Sequence, residues 1–356
     1  MELNVLDTNY DRIHVLDVFD SLIWVDRYTK AGDFELIVKA TVQNIQSLQQ
    51  GYILTLSGSE RGMIVETLNL ITYIEDGDKF VAKGRSLESI LERRIVWNQT
   101  VLSGGLQTGI ERLLNENAIT PTDPDRKISN LQFVPSIDPA VTSLAVDTQF
   151  TGETLYDAIQ SLCEGNNIGF KITLSADKKF VFTLYAGVDR SFNQIANPFV
   201  AFSPELNNLS STNYFHTIIP YRTITLVAGE GEGSDRVKAV VSLPGTGNTE
   251  LVRREKFTDA RDLSSLVDGE QLSPEEYNTL LVQRGVLSLL ESQPITSFDG
   301  KVDPTTNYVY GTHFFLGDIV QIENDYGLHG RTRVTELVFS EDLGGRDIYP
   351  TFEMVE

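Results

Sequence analysis

The segment 226–235 reads LVAGEGEGSD, with three glycines alternating with two glutamates at the end of a β-type run, TITLV. Glycine-rich loops can cradle phosphate and clustered carboxylates can hold a cation, so this is the first candidate for chemistry. A Walker loop needs a lysine and a hydroxyl at fixed spacing to serve the phosphates and magnesium. Here glutamates stand where phosphate would lie, and no lysine takes that place. A dinucleotide loop opens into a helix, whereas this one runs into the β-rich DRVKAVVSL. Glu230, Glu232 and Asp235 offer oxygens of the kind calcium prefers, at a spacing that fits no calcium loop. The favoured reading is a mobile hairpin loop, Gly229, Glu230, Gly231, Glu232 and Gly233, whose glycines permit unusual backbone angles. Such a loop could order only against a neighbouring subunit.

Other reactive residue types lead to structural readings. Asp123/Asp125, Asp76/Asp78 and Glu275/Glu276 are paired acids, placed in a proline loop, a hairpin turn and a helix start. A glycosidase needs two acids converging on one cleft, and 50 acidic residues make chance pairs common. His14, His216, His313 and His329 form no HExxH, and no GxSxG elbow supplies a nucleophile. Cys163 is the only cysteine, which excludes an intrachain disulfide. It falls on the apolar stripe of a predicted helix and reads as a buried thiol. Trp24 and Trp97 lie beside apolar runs, as core or interface anchors. No catalytic residue, metal site or cofactor is assigned.

The elements that must position these residues are mostly strands. Residues 13–25 and 34–38 are β-rich, and 42–50 carries Val42, Ile45 and Leu48 at helical spacing, with Thr41 as N-cap and Gly51 as stop. GYILTL, GMIVETLNLITYI and KFVAKGR follow as strands, the last two joined by an Asp-Gly hairpin signal at 75–78. Helices are predicted from Ser86 (Leu87, Ile90, Leu91), over 106–119 (Leu106, Ile110, Leu113, Leu114), and over 151–167 (Leu155, Ala158, Ile159, Leu162, Cys163). IGFKITL and KFVFTLYAG complete an α+β segment. HTIIPYRTITLVAG and DRVKAVVSL resume the β pattern. Ser273-Pro274-Glu275-Glu276 is a capping box with proline at the first helical position. Four strands follow: ITSFDGKVD, FFLGDIVQIEN, GRTRVTELVFS and IYPTFEMV.

The fold class expected is mixed β-rich: a barrel-like domain over 1–97, an inserted α+β domain over 98–197, and a second barrel-like domain over 198–356 with its capped helix near 273–291, strand exchange between domains remaining open. The 356 residues suffice for this, and a net charge of −21 argues against sequence-independent grip on DNA. No secretion signal and no run long enough to span a membrane is read.

Five stretches in this order carry a family resemblance: FDSLIWVDRYTKAGDFEL (19–36), GRSLESILERRIVWNQT (84–100), FTGETLYDAIQSLCEGNNIGFKITL (150–174), LVAGEGEGSDR (226–236) and YGTHFFLGDIVQIENDYG (310–327). The sequence resembles the siphovirus ReqiPepy-like, Tal-type N-terminal tail-tip or baseplate hub proteins, which are similar to the hub of contractile tails. The resemblance implies two tail-tube-like β-barrel domains per chain, and a homotrimer forming a pseudo-sixfold ring. The implied partners are the distal tail or baseplate proteins, the tail tube, the tape measure protein and a tail fibre or tip protein. It implies a virion location, with no specific nucleic-acid binding and no membrane insertion by this chain. Many Tal-type proteins continue into a fibre, peptidase or hydrolase. This sequence ends at Glu356, so the expectation is a connector. Three copies would carry about −63, which keeps passing DNA from adhering. Two rival readings are a cell-wall hydrolase and a carbohydrate-binding module, the second resting on Tyr308 and Tyr310 as exposed aromatics, which β-strand packing explains as well.

Overall fold

Alternation dictates the strands. In Asp33–Lys39, Phe34, Leu36 and Val38 are buried and the intervening residues are not, the two-residue period of a half-covered sheet. The computed structural model describes residues 1–72, 77–267, 270–302, 308–327 and 329–355, so part of the hairpin signal at 75–78 lies outside the described residues. Among these, thirteen strands share one sheet. Its path runs Leu209–Thr217, Ile295–Val302, Gly345–Met354, His329–Asp342, Ser21–Arg27, Asp33–Lys39, Lys79–Ser86, Gly62–Ile71, Ile53–Leu56, Leu3–Leu6, Arg12–Leu16. Ile319–Glu323 pairs with His329–Asp342 and, in parallel, with Ala201–Phe202.

The first and last segments of the chain are thus one β structure. His329–Asp342 is long enough to serve both: its first residues pair with Ile319–Glu323, and Glu336–Asp342 pair antiparallel with Arg27–Ser21. A single core lies beneath, in which Leu22, Trp24, Phe34 and Leu36 join Phe202, Phe314, Leu337, Phe339 and Phe352. The β-rich organisation expected from the sequence is present. No closed barrel is detected among the described residues, where the two β-rich segments share one open path. Leu209–Thr217 ends it on one side and Arg12–Leu16 on the other.

The α+β segment has its own core. Leu106–Leu114 buries Leu106, Ile110, Leu113 and Leu114, and Leu155–Gly165 buries Leu155, Ala158, Ile159, Leu162 and Cys163, the faces predicted from helical spacing. Thr154 caps the second helix by accepting from the Asp157 amide at 3.0 Å, and Thr41 does the same for Val42–Ser47 with Asn44 at 3.1 Å. These helices pack on Gly169–Leu174 and Phe180–Tyr185, through Phe170 and Phe182.

A third, smaller unit interrupts the big sheet. HTIIPYRTITLVAG is not one strand but two in different sheets, Leu209–Thr217 and Ile224–Ala228; Pro220 between them has no amide to donate to a ladder. Ile224–Ala228 pairs antiparallel with Lys238–Ser242 and parallel with Glu255–Asp259. The helix Pro274–Leu290 covers one face, burying Tyr277, Leu281 and Leu289 against Val227 and Val241. Its predicted capping box is formed: the Ser273 hydroxyl accepts from the Glu276 amide at 3.2 Å, and the Glu276 carboxylate accepts from the Ser273 amide at 2.8 Å. Ser273→Ala removes one half of that reciprocal pair, and is expected to lower stability by about 1 kcal/mol, read as a reduced Tm with unchanged circular dichroism at low temperature.

Candidate functional site

The GEGEG stretch is a hairpin loop joining Ile224–Ala228 to Lys238–Ser242. Its base is held within the chain. The Gly229 amide donates to the Val237 carbonyl at 2.8 Å, and the Glu230 amide donates to the Tyr277 hydroxyl at 2.8 Å. Gly229 is buried where a Cβ would collide with that same hydroxyl, so the helix packs against bare backbone here. The Glu230 carboxylate accepts from the Ser265 amide (2.9 Å) and hydroxyl (2.5 Å). Burial pushes its pKa up, but these bonds hold it below the usual carboxylate value. Arg236 donates to the Gly229 carbonyl at 2.8 Å and pairs with Asp259. Only the tip, Gly231 through Asp235, is exposed. Glu230 faces Ser265 while Glu232 and Asp235 stand in solvent, so the three carboxylates do not converge. Among the described residues no three His, Cys, Asp or Glu side chains are grouped to hold a metal ion.

The other sequence candidates take local roles. Asp123 caps the turn Pro124–Arg126, accepting from the Asp125 amide at 3.0 Å. Asp76 lies outside the described residues. His216 bonds Thr296, His313 accepts from the Val309 amide, and His329 lies 3.1 Å from the Gly327 carbonyl. Cys163 is fully buried, and that burial raises its thiol pKa far out of the nucleophilic range. Trp24 is in the core, donating to Asp26 at 2.9 Å. Trp97 is 63% exposed under the Arg126 guanidinium, 4.9 Å from the ring centre. Tyr308 and Tyr310, read as exposed aromatics, instead pack on the main core, against Phe202 and against Phe314 and Phe339 respectively.

Sequence reasoning missed the place where the three parts of the chain meet. Asp26, Arg61 and Glu88 are each at most 4% exposed. The Arg61 guanidinium pairs with Glu88, and donates to the Arg27 carbonyl at 2.8 Å, the Tyr185 hydroxyl at 3.2 Å and the Phe170 carbonyl at 3.3 Å. Glu88 also accepts from the Ile172 amide at 2.9 Å, which ties the first segment to the α+β sheet. Burial raises the Asp26 pKa; Arg61, Ser59 and Trp24 oppose it. Next in sequence to Arg27, the Tyr28 amide donates to the Thr335 carbonyl at 2.9 Å, and its hydroxyl bonds Asn167 at 3.2 Å and Gly187 at 3.3 Å. Gly317, at φ +95°, leaves room for the Tyr28 ring that any Cβ would take. Asp318 closes the junction, accepting from Val188 (2.7 Å), Phe315 (3.0 Å) and Arg190 (2.7 Å). A cleft of about 660 Å³ opens above these residues. The only signal in the sequence was a charge embedded in an apolar run, as in IWVDR and SLESIL.

On another side, Leu155–Gly165 and Pro274–Leu290 flank a cleft of about 510 Å³ lined by Glu153, Asp157, Glu164 and Glu291, with Arg284 as its one basic residue. Arg284 donates to the Gln149 carbonyl at 2.9 Å and to Asp262 at 2.8 Å. Burial pushes the Glu153 carboxyl up to about 7, with Asp262 and Asp157 adding to the push and Arg284 opposing it.

Two outcomes follow from these geometries. Arg61→Met leaves two carboxylates buried without their cation and is expected to cost about 3–5 kcal/mol in chemical denaturation; adding Glu88→Gln should restore part of that loss. Glu153 holds its proton more tightly when folded, so its contribution is neutral below pH about 4.5 and becomes a loss of stability as pH rises towards 7. Glu153→Gln should therefore raise stability by about 1–2 kcal/mol at pH 8, discounted for partial exposure, and leave it unchanged at pH 4, in paired melts.

The sequence matches the Siphovirus ReqiPepy6 Gp37-like protein family over residues 2–352. Solved structures with the same fold include a tail protein from Neisseria meningitidis MC58, 13% identical with a TM-score of 0.57 over 99% of this chain and 95% of that one. A 43 kDa tail protein of prophage MuSo2 from Shewanella oneidensis is 12% identical with a TM-score of 0.58, over 99% and 98%. Prophage tail protein gp18 from Listeria monocytogenes EGD-e is 13% identical with a TM-score of 0.53, over 99% and 94%. No curated protein sequence matches the chain. With its β-rich segments merged in one sheet and its inserted units in place, the chain belongs to the Siphovirus ReqiPepy6 Gp37-like protein family and has the fold of phage tail proteins.

Proposed function

We propose that this chain is the structural hub at the tip of a phage tail. Three copies form a ring that joins the sixfold tail tube or distal tail ring to a threefold tip or fibre, and the ring encloses the DNA channel. The observation that carries the reading is the pairing of Ser21–Arg27 with the last residues of His329–Asp342. It places two β-rich segments side by side in every chain, so three chains present six such segments to a sixfold neighbour. The net charge of −21 suits a wall past which DNA slides without sticking. In this reading the protein is a virion component with no catalytic role, its neighbours are the distal tail, tube, tape measure and tip proteins, and the exposed tip of the GEGEG hairpin meets a neighbouring subunit or the lumen.

Averaged electron micrographs of tail particles carrying a tagged chain test the ring: three tags at the tip are expected, and a tag along the tube or at the head end would overturn it. The loop is tested by removing its exposed part alone, because Gly229 and Glu230 hold the helix Pro274–Leu290. Deleting Gly231–Ser234 should leave the Tm of the chain unchanged and lower the yield of infectious particles at least tenfold, whereas full infectivity would remove the loop from assembly and ejection.

A further inference from the structure

The three-stranded sheet that carries the GEGEG hairpin has one covered face and one bare face. The covered face meets the helix Pro274–Leu290 through Val227, Val241 and a hydroxyl chain in which Thr258 lies 2.7 Å from Thr225 and 2.9 Å from Ser288. On the other face Leu226 is directly opposite Val240 in one neighbouring strand and Phe257 in the other. The three form a row across the full width of the sheet, 38%, 66% and 58% exposed. Single exposed apolar residues are ordinary; a continuous row spanning a sheet marks a contact surface. Its charge is as unusual as its polarity. Residues 236–261 hold six Lys and Arg against three Asp and Glu, in a chain with 29 against 50; Lys256 turns to the covered face, where it donates to Ser288 and Ser292, and on the bare side Arg236 and Arg261 share Asp259 while Arg253 pairs with Glu255. Arg236 lies over the Phe257 ring at 5.6 Å, and Lys238 is exposed in the next row.

We propose that this bare face is where the next copy of the chain docks, head to tail; the inference rests on the ring reading above and names its surface. The occupant follows from charge. Outside this island the chain holds 23 Lys and Arg against 47 Asp and Glu, so a second copy presents an apolar-basic face with a predominantly acidic surface. A twofold, face-to-face contact would bring two like, net basic faces together. A heterologous contact avoids this, and heterologous contacts close into rings where the rotation between copies permits. The exposed acids of the same unit, Glu232 and Asp235 at the hairpin tip and Glu275 and Glu276 at the helix start, are on hand for such a neighbour.

Sedimentation of the purified full-length chain from about 1 to about 100 µM tests the face without the tail. The expected result is self-association beyond a dimer that weakens with salt, with Val240→Glu and Phe257→Ser each raising the dissociation constant at least tenfold while circular dichroism and Tm stay unchanged. Should Val240→Glu lower the Tm, Val240→Thr, which keeps the β-branched shape, should still weaken association about threefold by removing apolar area. Variants that associate like the parent chain, a closed dimer, or a strict monomer at the highest concentration would each overturn this docking face. The ring itself is judged separately, by the tagged particles.

Discussion

The constraint on which the rest of the molecule depends is the antiparallel match of Ser21–Arg27 with Glu336–Asp342. Some 309 residues separate Arg27 from Glu336, the pair that bonds across it at 2.6 Å. Closing so long a loop costs chain entropy, which the ladder must recover together with the core beneath it. Trp24 opposite Phe339 supplies the largest buried side chains of that seam. Once it forms, the α+β segment and the small helix-covered sheet can only be excursions from a common β frame. The two ends of the small helix-covered unit lie directly opposite each other, Thr217 against Ile295, so that unit fits into the chain without disturbing the frame.

Immediately below the seam, Tyr28 and Arg61 convert this pairing into a three-way joint. Each contributes hydrogen bonds to backbone atoms of other segments: Tyr28 to Thr335, Asn167 and Gly187, and Arg61 to Arg27 and Phe170. An apolar joint would be at least as stable, because burying a charge carries a desolvation penalty that its partner only offsets. What a guanidinium adds is direction. Its planar set of donors is satisfied in one arrangement of the surrounding carbonyls, so the network fixes how the segments are oriented. Asp318, with two amides and Arg190 on its two oxygens, plays the same part at the other margin.

What was legible in the sequence was local. The caps at Thr41 and Ser273 act over three residues, and the apolar stripes of Leu106–Leu114 and Leu155–Gly165 repeat within a turn or two, so both could be read directly. Most strands were legible for the same reason. Which strand pairs with which was not, because pairing partners are chosen by tertiary context over hundreds of residues; the one long strand that joins both β-rich segments was therefore not identifiable. The joint was hidden for a different cause. Asp26, Arg61 and Glu88 are three among 79 charged residues, and burial alone distinguishes them. Tyr308 and Tyr310 stood open between surface and strand packing, because short turns beside aromatic residues look like surface; Phe202 draws the first ring, and Phe314 and Phe339 the second, onto the core.

The two seams of the molecule differ in kind. At the Tyr28–Arg61 joint each charge has an opposite partner or a ring of dipoles. Between Leu155–Gly165 and Pro274–Leu290 four carboxylates share one cleft with a single arginine, and Arg284 and Gln149 provide the cross-links, the latter donating to the Ser264 carbonyl at 3.2 Å. Like charges facing each other across a cleft hold two bodies less tightly than an ion-paired, hydrogen-bonded network does. The small unit carrying the GEGEG hairpin is therefore the part of the chain best able to shift against the β frame, since local openings follow the weakest packing. The uncovered row of Leu226, Val240 and Phe257 belongs to that same unit, so the surface with most to gain from a partner sits on the body freest to adjust to one.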